Sequence, residues 1–420
     1  MPENITIQRP DYLNSLARHK VVPGLIKIMS GVRRCGKSTL LKMYQDKLRS
    51  EGIKDRQIIA VNLEDITNKP LLDGSKLHEF VEARTAKNRL NYVFLDEIQL
   101  VSGFGEVINS LRLRENIDLY VTGSNSSLLS ARLPKILGGR YIQIHMFPLS
   151  FREYINGFPS QGKTSPDTIF HHYLEYSSFP EALAYLPQRD RQGVREYLSH
   201  IYESIIMRDV MQRDDIKELP QLTRVINFLF SNIGSETSIN NMMGVINNEF
   251  TLRPNEKKLY APMLEKYLNA LLDCFIFYKA DKQYIRGKEL LRTNAKYYAV
   301  DVGLRYYLLG GTTKTDAGHL LENVVYLELL RRGYKVEVGK IGDKEIDFVA
   351  QKPGGRIEYY QVAQSVMDES TLSRELEPLE AIRDNYPKIL LSRDQDRNNY
   401  KGIQHINVLD WLLGKELQNY

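Results

Sequence analysis

Cysteine is almost missing from this chain: Cys35 and Cys274 are the two in 420 residues, far apart and without a C-x-x-C neighbour. That scarcity excludes a disulfide framework and a cysteine zinc site, and it fits a reducing, cytoplasmic setting. Long hydrophobic runs are missing too. The longest, near residues 268–278, is broken by Asp273, and the opening MPENITIQRPDYL lacks the apolar core of a signal peptide, so no membrane span is expected. There is no internal repeat and no low-complexity tract. The formal net charge of +5 is too small to identify a nucleic-acid partner, although it permits one. What is present, 42% apolar and 26% charged residues, is the composition of a folded globular protein on a chain too long for one core, which leads us to expect two or three domains.

Residues 31–38 read GVRRCGKS, a full match to G-x-x-x-x-G-K-[ST], and follow the strand-like run Leu25-Ile26-Lys27-Ile28-Met29. Glycines let successive backbone N–H groups curl around an anion, and the start of a helix adds its partial positive charge. The nucleotide-binding candidates are therefore Gly31, Val32, Arg33, Arg34, Cys35, Gly36, Lys37, Ser38 and Thr39. Lys37 is placed to reach the β- and γ-phosphates of a nucleoside triphosphate, and the Ser38 hydroxyl to sit on Mg2+. Cys35 departs from the small residues common in such loops while leaving the required positions intact; it reads as filler at a variable position, the alternative being that Lys37 and the helix start lower its thiol pKa and open it to oxidative inhibition.

From residue 25 to about 150, short β-branched runs alternate with amphipathic helical stretches, which argues for a parallel sheet with helices on both faces. Strands are expected at 25–30, 58–63, 92–95, 117–122 and 141–145, with Leu40, Leu41, Tyr44 and Leu48 on one face of a helix over 37–48. The run Tyr92-Val93-Phe94-Leu95 ends in Asp96 and Glu97, as when a sheet delivers carboxylates to a phosphate loop. Asp96 then holds magnesium and Glu97 orients the attacking water, the alternative being an ordinary acidic turn. After the strand near Asp118, either Ser124 or Asn125 can hydrogen-bond the γ-phosphate or the water, or form a plain turn. Arg140, in Gly138-Gly139-Arg140-Tyr141, is a candidate finger for the negative charge of the transition state, against a solvated surface arginine.

These stretches resemble the AAA+ superfamily, and more closely the prokaryotic AAA-type ATPases fused to a C-terminal domain of unknown function. The likeness rests on GVRRCGKSTLL from Gly31, VFLDEIQ from Val93, VTGSNSSLLS from Val121 and GGRYIQIHMFPLSFREY from Gly138. It continues through SSFPEAL near Ser177, KYYAVDVGL near Lys296, LLENVVYLELLRRGYKV and EIDFVA. The resemblance implies ATP binding, hydrolysis, a polar sensor at Ser124 or Asn125, and an Arg140 that acts on a neighbouring protomer of a homo-oligomer. It implies no settled cellular task or protein partner.

The expected architecture is α/β throughout: a P-loop NTPase core over 1–150, a helical lid or connector over 151–218, a winged-helix-like domain over 219–310, and a restriction-endonuclease-like domain over 318–420. Helices are expected at 151–155, 171–185 and 191–209, then one over 221–229, one capped near Ser238, and one from about 255 to 272 leading into a β segment at 274–279. The last domain is expected as a helix over 320–331, strands at 335–338, 345–350 and 357–363, a helix near 370–382 and a strand at 388–392. Glu322, Asp347 and Gln361 fall where the PD-(D/E)xK nuclease fold places its acids, but Ala363 stands where such an enzyme needs lysine, so no nuclease activity is expected. Lys257, Lys258, Tyr260 and Lys266 offer phosphate contacts to DNA, offset by Glu256 and Glu265. His171-His172 has no second ligand pair nearby, which argues against a metal site there. The reading is an ATPase that moves appended binding domains; the alternatives are a slow nucleotide-switched signalling or binding module, or an ATP-dependent DNA-processing factor.

Overall fold

A computed structural model describes residues 7–124, 132–159, 162–187, 190–212, 216–249, 258–285, 294–311, 316–396 and 398–415. The run after Gly24 forms β1 (Ile26–Ser30), buried at every position, as a strand covered on both faces must be. With β2 (Ile58–Asn62), β3 (Asn91–Asp96), β4 (Ile117–Gly123) and β5 (Tyr141–His145) it makes a five-stranded parallel sheet in the order β2-β3-β4-β1-β5. β4 thus lies between the strand that leads into the phosphate loop and the strand that ends in the two acids.

The helices of this part are α1 (Pro10–Arg18), α2 (Lys37–Ser50), α3 (Gly74–Arg84), α4 (Phe104–Leu111) and α5 (Arg132–Leu137). As its spacing predicts, α2 buries Leu40, Leu41, Tyr44 and Leu48. Tyr44 meets Phe94 and Tyr120, which stack at 4.8 Å. Lys27, a cation inside the apolar β1, is paired with buried Asp118, which also accepts from the Tyr120 hydroxyl at 2.8 Å. A charge this deep is tolerated only when it is paired and hydrogen-bonded. Ile28, Val93, Leu95 and Val121 pack with Leu77 and Val81 of α3 and with Ile108 and Leu111 of α4.

The chain divides into two compact units, one of residues 6–148 with 273–275, the other containing 149–272 and 276 onward. The second begins with α6 (Phe151–Gly157), closed at its start by a reciprocal Ser150–Glu153 capping box. The single helix expected over 171–185 is instead α7 (Pro166–Tyr176) followed by a 3-10 turn at Pro180–Tyr185, because the chain breaks at Ser177, whose φ is +83°. α8 (Arg191–Ser204) continues as a π-helix over Ile205–Gln212.

Next come α9 (Leu219–Ser231), β6 (Glu236–Thr237), α10 (Ile239–Glu249), α11 (Ala261–Asp273), β7 (Phe277–Tyr284), β8 (Ala295–Ala299) and α12 (Val302–Leu309). The Ser238 hydroxyl caps α10 by accepting from Asn241 N at 3.2 Å. The last stretch contains α13 (Ala317–Arg331), β9 (Lys335–Ile341), β10 (Lys344–Gln351), β11 (Ile357–Val362), α14 (Glu369–Glu380), β12 (Lys388–Ser392), β13 (Asn399–Tyr400), β14 (Ile403–Asn407) and α15 (Val408–Leu413).

Residues 219–310 and 318–420, expected as separate domains, contribute to one mixed nine-stranded sheet in the order β13-β14-β12-β11-β10-β9-β7-β8-β6. The join is a parallel pairing of β7 with β9, in which Lys282, Gln283 and Tyr284 face Val338, Gly339 and Lys340. Among the described residues, no helix is long and apolar enough to cross a membrane.

Candidate nucleotide site

The phosphate loop joins the end of β1 to the start of α2, so the first-turn N–H groups of the helix and its dipole face whatever the loop holds. Gly31 has φ +148° and Gly36 φ +101°. A Cβ on Gly31 would lie 2.1 Å from the carbonyl oxygen of Met146, so no side chain fits there. Arg34 also takes a positive φ, +66°, at a cost of about 1 kcal/mol for a residue with a side chain. Arg33 pairs with Glu64 at 2.9 Å. Lys37 folds back over the loop, its Nζ donating to the carbonyls of Gly31 at 3.0 Å and Val32 at 3.2 Å. Val32 is buried, and Ser38 and Thr39 are exposed on the first turn of α2.

Both acids at the end of β3 are buried, and Glu97 carries a left-handed backbone, φ +56° and ψ +49°. That local strain swings its carboxylate to 3.9 Å from Lys37 Nζ. Thr122, at the end of the neighbouring β4, fixes the pair. Its hydroxyl donates to Asp96 and accepts from Glu97 N at 2.9 Å. Gln99 donates its amide to Glu97. Ser124 follows β4 directly, 1% exposed, and its hydroxyl has no partner among the described residues. Asn125, the other sensor candidate, lies outside the described residues.

Lys37 and Glu97 therefore come together, with Asp96 beside Glu97 on Thr122, and Ser124 follows the end of β4, the strand between β1 and β3. Arg140 does not join them. It is exposed and precedes β5, whose far end, His145, pairs with Ser30; one five-residue strand, roughly 15 Å, separates it from the loop.

Three contributors went unread in the sequence. Thr122 is a lone polar side chain at the end of an apolar strand, which is a usable signal. His145 sets its Nδ1 3.2 Å from the Ser30 hydroxyl and its ring edge-on to Phe147 at 4.6 Å. Burial, with the Lys37 charge nearby, pushes its pKa down to about 3. Arg9 donates to the Cys35 carbonyl from 26 residues upstream, a distance no local pattern spans.

The alternative reading of Cys35, a lowered thiol pKa, is reversed: the side chain is fully enclosed, and burial raises it despite Lys37 and Arg9 nearby. An inaccessible neutral thiol is a poor target for oxidation, so that alternative is withdrawn.

In the second unit Glu322 accepts from Lys296 Nζ at 2.9 Å and from the Tyr298 hydroxyl at 2.6 Å. Lys296 also lies 2.7 Å from Glu345. Although burial opposes it, Lys296 holds the Glu322 carboxyl below the usual range, while burial and Glu322 push Asp347 well above it. Asp347 accepts from Val362 N at 2.8 Å, and the Gln361 amide donates to Glu375 at 2.9 Å. Ala363 sits in an apolar cluster with Ile346, Leu376 and Leu379. Lys258 and Tyr260 are exposed just ahead of α11, and Lys266 on it neighbours exposed Glu265; Lys257 lies outside the described residues. The charge there is mixed. His171 and His172 lie on α7, with the His172 ring 5.6 Å from Phe158.

Residues 24–155 match the family described as "AAA domain", and residues 167–315 match one described as "Domain of unknown function (DUF8612)". An uncharacterized protein of Haemophilus influenzae is 37% identical over 97% of this chain and 98% of its own length. The chain belongs to that protein's family. An uncharacterized protein of Methanocaldococcus jannaschii is 26% identical over 87% of this chain and 80% of its own length. Among solved structures, the chain is similar to the Aeropyrum pernix ORC2 protein, with a TM-score of 0.43 and 12% identity over 79% of this chain and 96% of that one. It is also similar to DnaA from Aquifex aeolicus, with a TM-score of 0.32 and 14% identity over 63% of this chain and 87% of that one.

Proposed function

We propose that residues 7–148 bind and hydrolyse ATP with magnesium, and that turnover changes the conformation of the unit that follows. The observation that carries this reading is Glu97, held in a strained backbone 3.9 Å from the phosphate-loop lysine with Thr122 bracing it and Asp96 together. An ordinary acidic turn needs none of that. The site also fits its ligand: the loop excludes a side chain at Gly31, and Ser124 presents a buried hydroxyl with no partner among the described residues.

Nucleotide binding exchanges the Lys37 contacts to Gly31 and Val32 for phosphate oxygens. Ser38 and Asp96 would hold magnesium, which would supply neutralisation of the phosphate charge. Asp96 keeps one oxygen on Thr122, which orients the other. Glu97 accepts a proton from the attacking water and aligns it, with Gln99 fixing the carboxylate. Ser124 donates to the γ-phosphate or the water. Arg140, remote from its own loop, serves a neighbouring protomer.

The test compares full-length wild type with Glu97→Gln, Lys37→Ala and Arg140→Ala for MgATP binding and phosphate release. Glu97→Gln should bind as wild type and turn over about a hundredfold or more slowly. Lys37→Ala should lose binding, and Arg140→Ala should lose turnover only at concentrations where the protein self-associates. Hydrolysis by Glu97→Gln at the wild-type rate would sink the assignment. With ATP held unhydrolysed on Glu97→Gln, limited proteolysis of residues 149–415 should differ from that in ADP; identical patterns remove the coupling.

A further inference from the structure

Arg9 stands immediately before α1, a cation only 3% exposed. Its guanidinium is spread over carbonyls of two other segments: Nη1 donates to Cys35 O at 3.0 Å, and Nη2 to Phe147 O at 3.0 Å and Pro148 O at 3.4 Å. Tyr12 lies under it, ring centroid 4.6 Å away, and the Tyr12 hydroxyl accepts from Phe147 N at 3.2 Å. Burying a cation is costly, and an apolar side chain of similar length would fill the same volume at less cost. A planar fork with several donors does what an apolar filler cannot: it holds separate backbone segments at fixed spacing.

The carbonyl that Arg9 takes belongs to the phosphate loop. A trans peptide points its C=O and N–H in opposite directions, so fixing the Cys35 oxygen on Arg9 turns the Gly36 N–H the other way. In a loop that cradles phosphate, the N–H groups must face the anion. The same guanidinium ties the loop to residues 147 and 148, next to Met146, whose carbonyl crowds Gly31 at the other end of the loop. Both ends of the loop are therefore registered against residues 146–148, one by exclusion of a side chain and one by Arg9.

We propose that Arg9 is a positioning residue for the nucleotide, holding the loop in its phosphate-accepting shape before the ligand arrives; this rests on the ATP reading above. Preorganised donors bind an anion without first paying to be ordered.

The experiment uses full-length wild type, Arg9→Met and Arg9→Lys. MgATP affinity is measured by titration calorimetry, and the urea midpoint is measured with and without saturating MgATP. Wild type should bind. Arg9→Met should lose about 10- to 100-fold in MgATP affinity, the loss expected for a charge-assisted brace, and its MgATP-induced rise in midpoint should shrink accordingly. Arg9→Lys, with one charged donor centre instead of a fork, should recover part of the loss. A nucleotide-free midpoint that falls while MgATP affinity stays within twofold of wild type makes Arg9 a mere structural brace and overturns the proposal. Should Arg9→Met fail to fold, Arg9→Lys decides, and wild-type affinity in it is equally fatal. A wild type that binds no MgATP removes the parent reading, and this one with it.

Discussion

The imidazole of His145, held near a pKa of about 3 by burial and the Lys37 charge, titrates far below its ordinary value near 6.5. The unfolded chain takes up a proton there below about 6.5, and the folded chain does not until about 3. Stability is therefore present above that window and lost as pH falls through it. The slope is at most about 1.4 kcal/mol per pH unit from this group. Urea midpoints at pH 7 and 5.5 should lie closer together in His145→Gln than in wild type; an unchanged gap assigns the acid sensitivity elsewhere. Lys37, Asp96 and Glu97 were legible in the sequence because their chemistry demands fixed residue types at fixed local spacing. Arg9, Thr122 and His145 were not, because each acts on a segment that folding brings from 25 or more residues away.

Two sequence stretches that carried the family likeness turn out to lock one element against another. Asp301 caps α12 through Leu304 N at 2.6 Å and also accepts from Ser178 N at 2.7 Å and from its hydroxyl at 2.6 Å. Burial nevertheless holds its carboxyl above the usual range. Two residues on, a Cβ at Gly303 would come within 2.2 Å of Ser177 N, at the break that follows α7. Backbone atoms cannot yield as a side-chain tip does. Gly303→Ala should thus destabilise the protein by about 3 kcal/mol or more in urea unfolding, and a loss under 1 kcal/mol would mean the break relaxes cheaply. Likewise Asn323 on α13 exchanges hydrogen bonds with the backbone of Ala299, at 2.7 and 2.9 Å, beside the Glu322–Lys296 pair. Glu322 is thus engaged in holding α13 to β8, and the lysine missing at position 363 would have to enter an apolar cluster. The parallel strands were readable because burial on both faces leaves continuous apolar runs. β8 was not, since a five-residue run of Ala, Lys and Tyr carries neither alternation nor a β-branched signature.

On the scale of the whole chain, the five-stranded parallel sheet of the first unit matches the expected core, whereas the rest follows a plan that composition does not announce. A domain boundary was expected between residues 310 and 318, yet the strands before and after it belong to one sheet. Local sequence reports turns well, but it does not report which distant strand a strand will choose. The parallel pairing of β7 with β9 joins the region after Gly310 to what precedes it. Expressed alone, residues 318–420 would leave one edge of β9 without the strand it pairs with at Val338, Gly339 and Lys340, while its other edge stays on β10. Such a fragment should recruit copies of itself and sediment as aggregate, whereas residues 149–420 should remain dispersed; a monodisperse 318–420 fragment in analytical ultracentrifugation would disprove this. Any gene fusion, split or recombination that breaks the chain there exposes a surface prone to self-association, so the seam between β7 and β9 limits how this protein can be divided by evolution or by design.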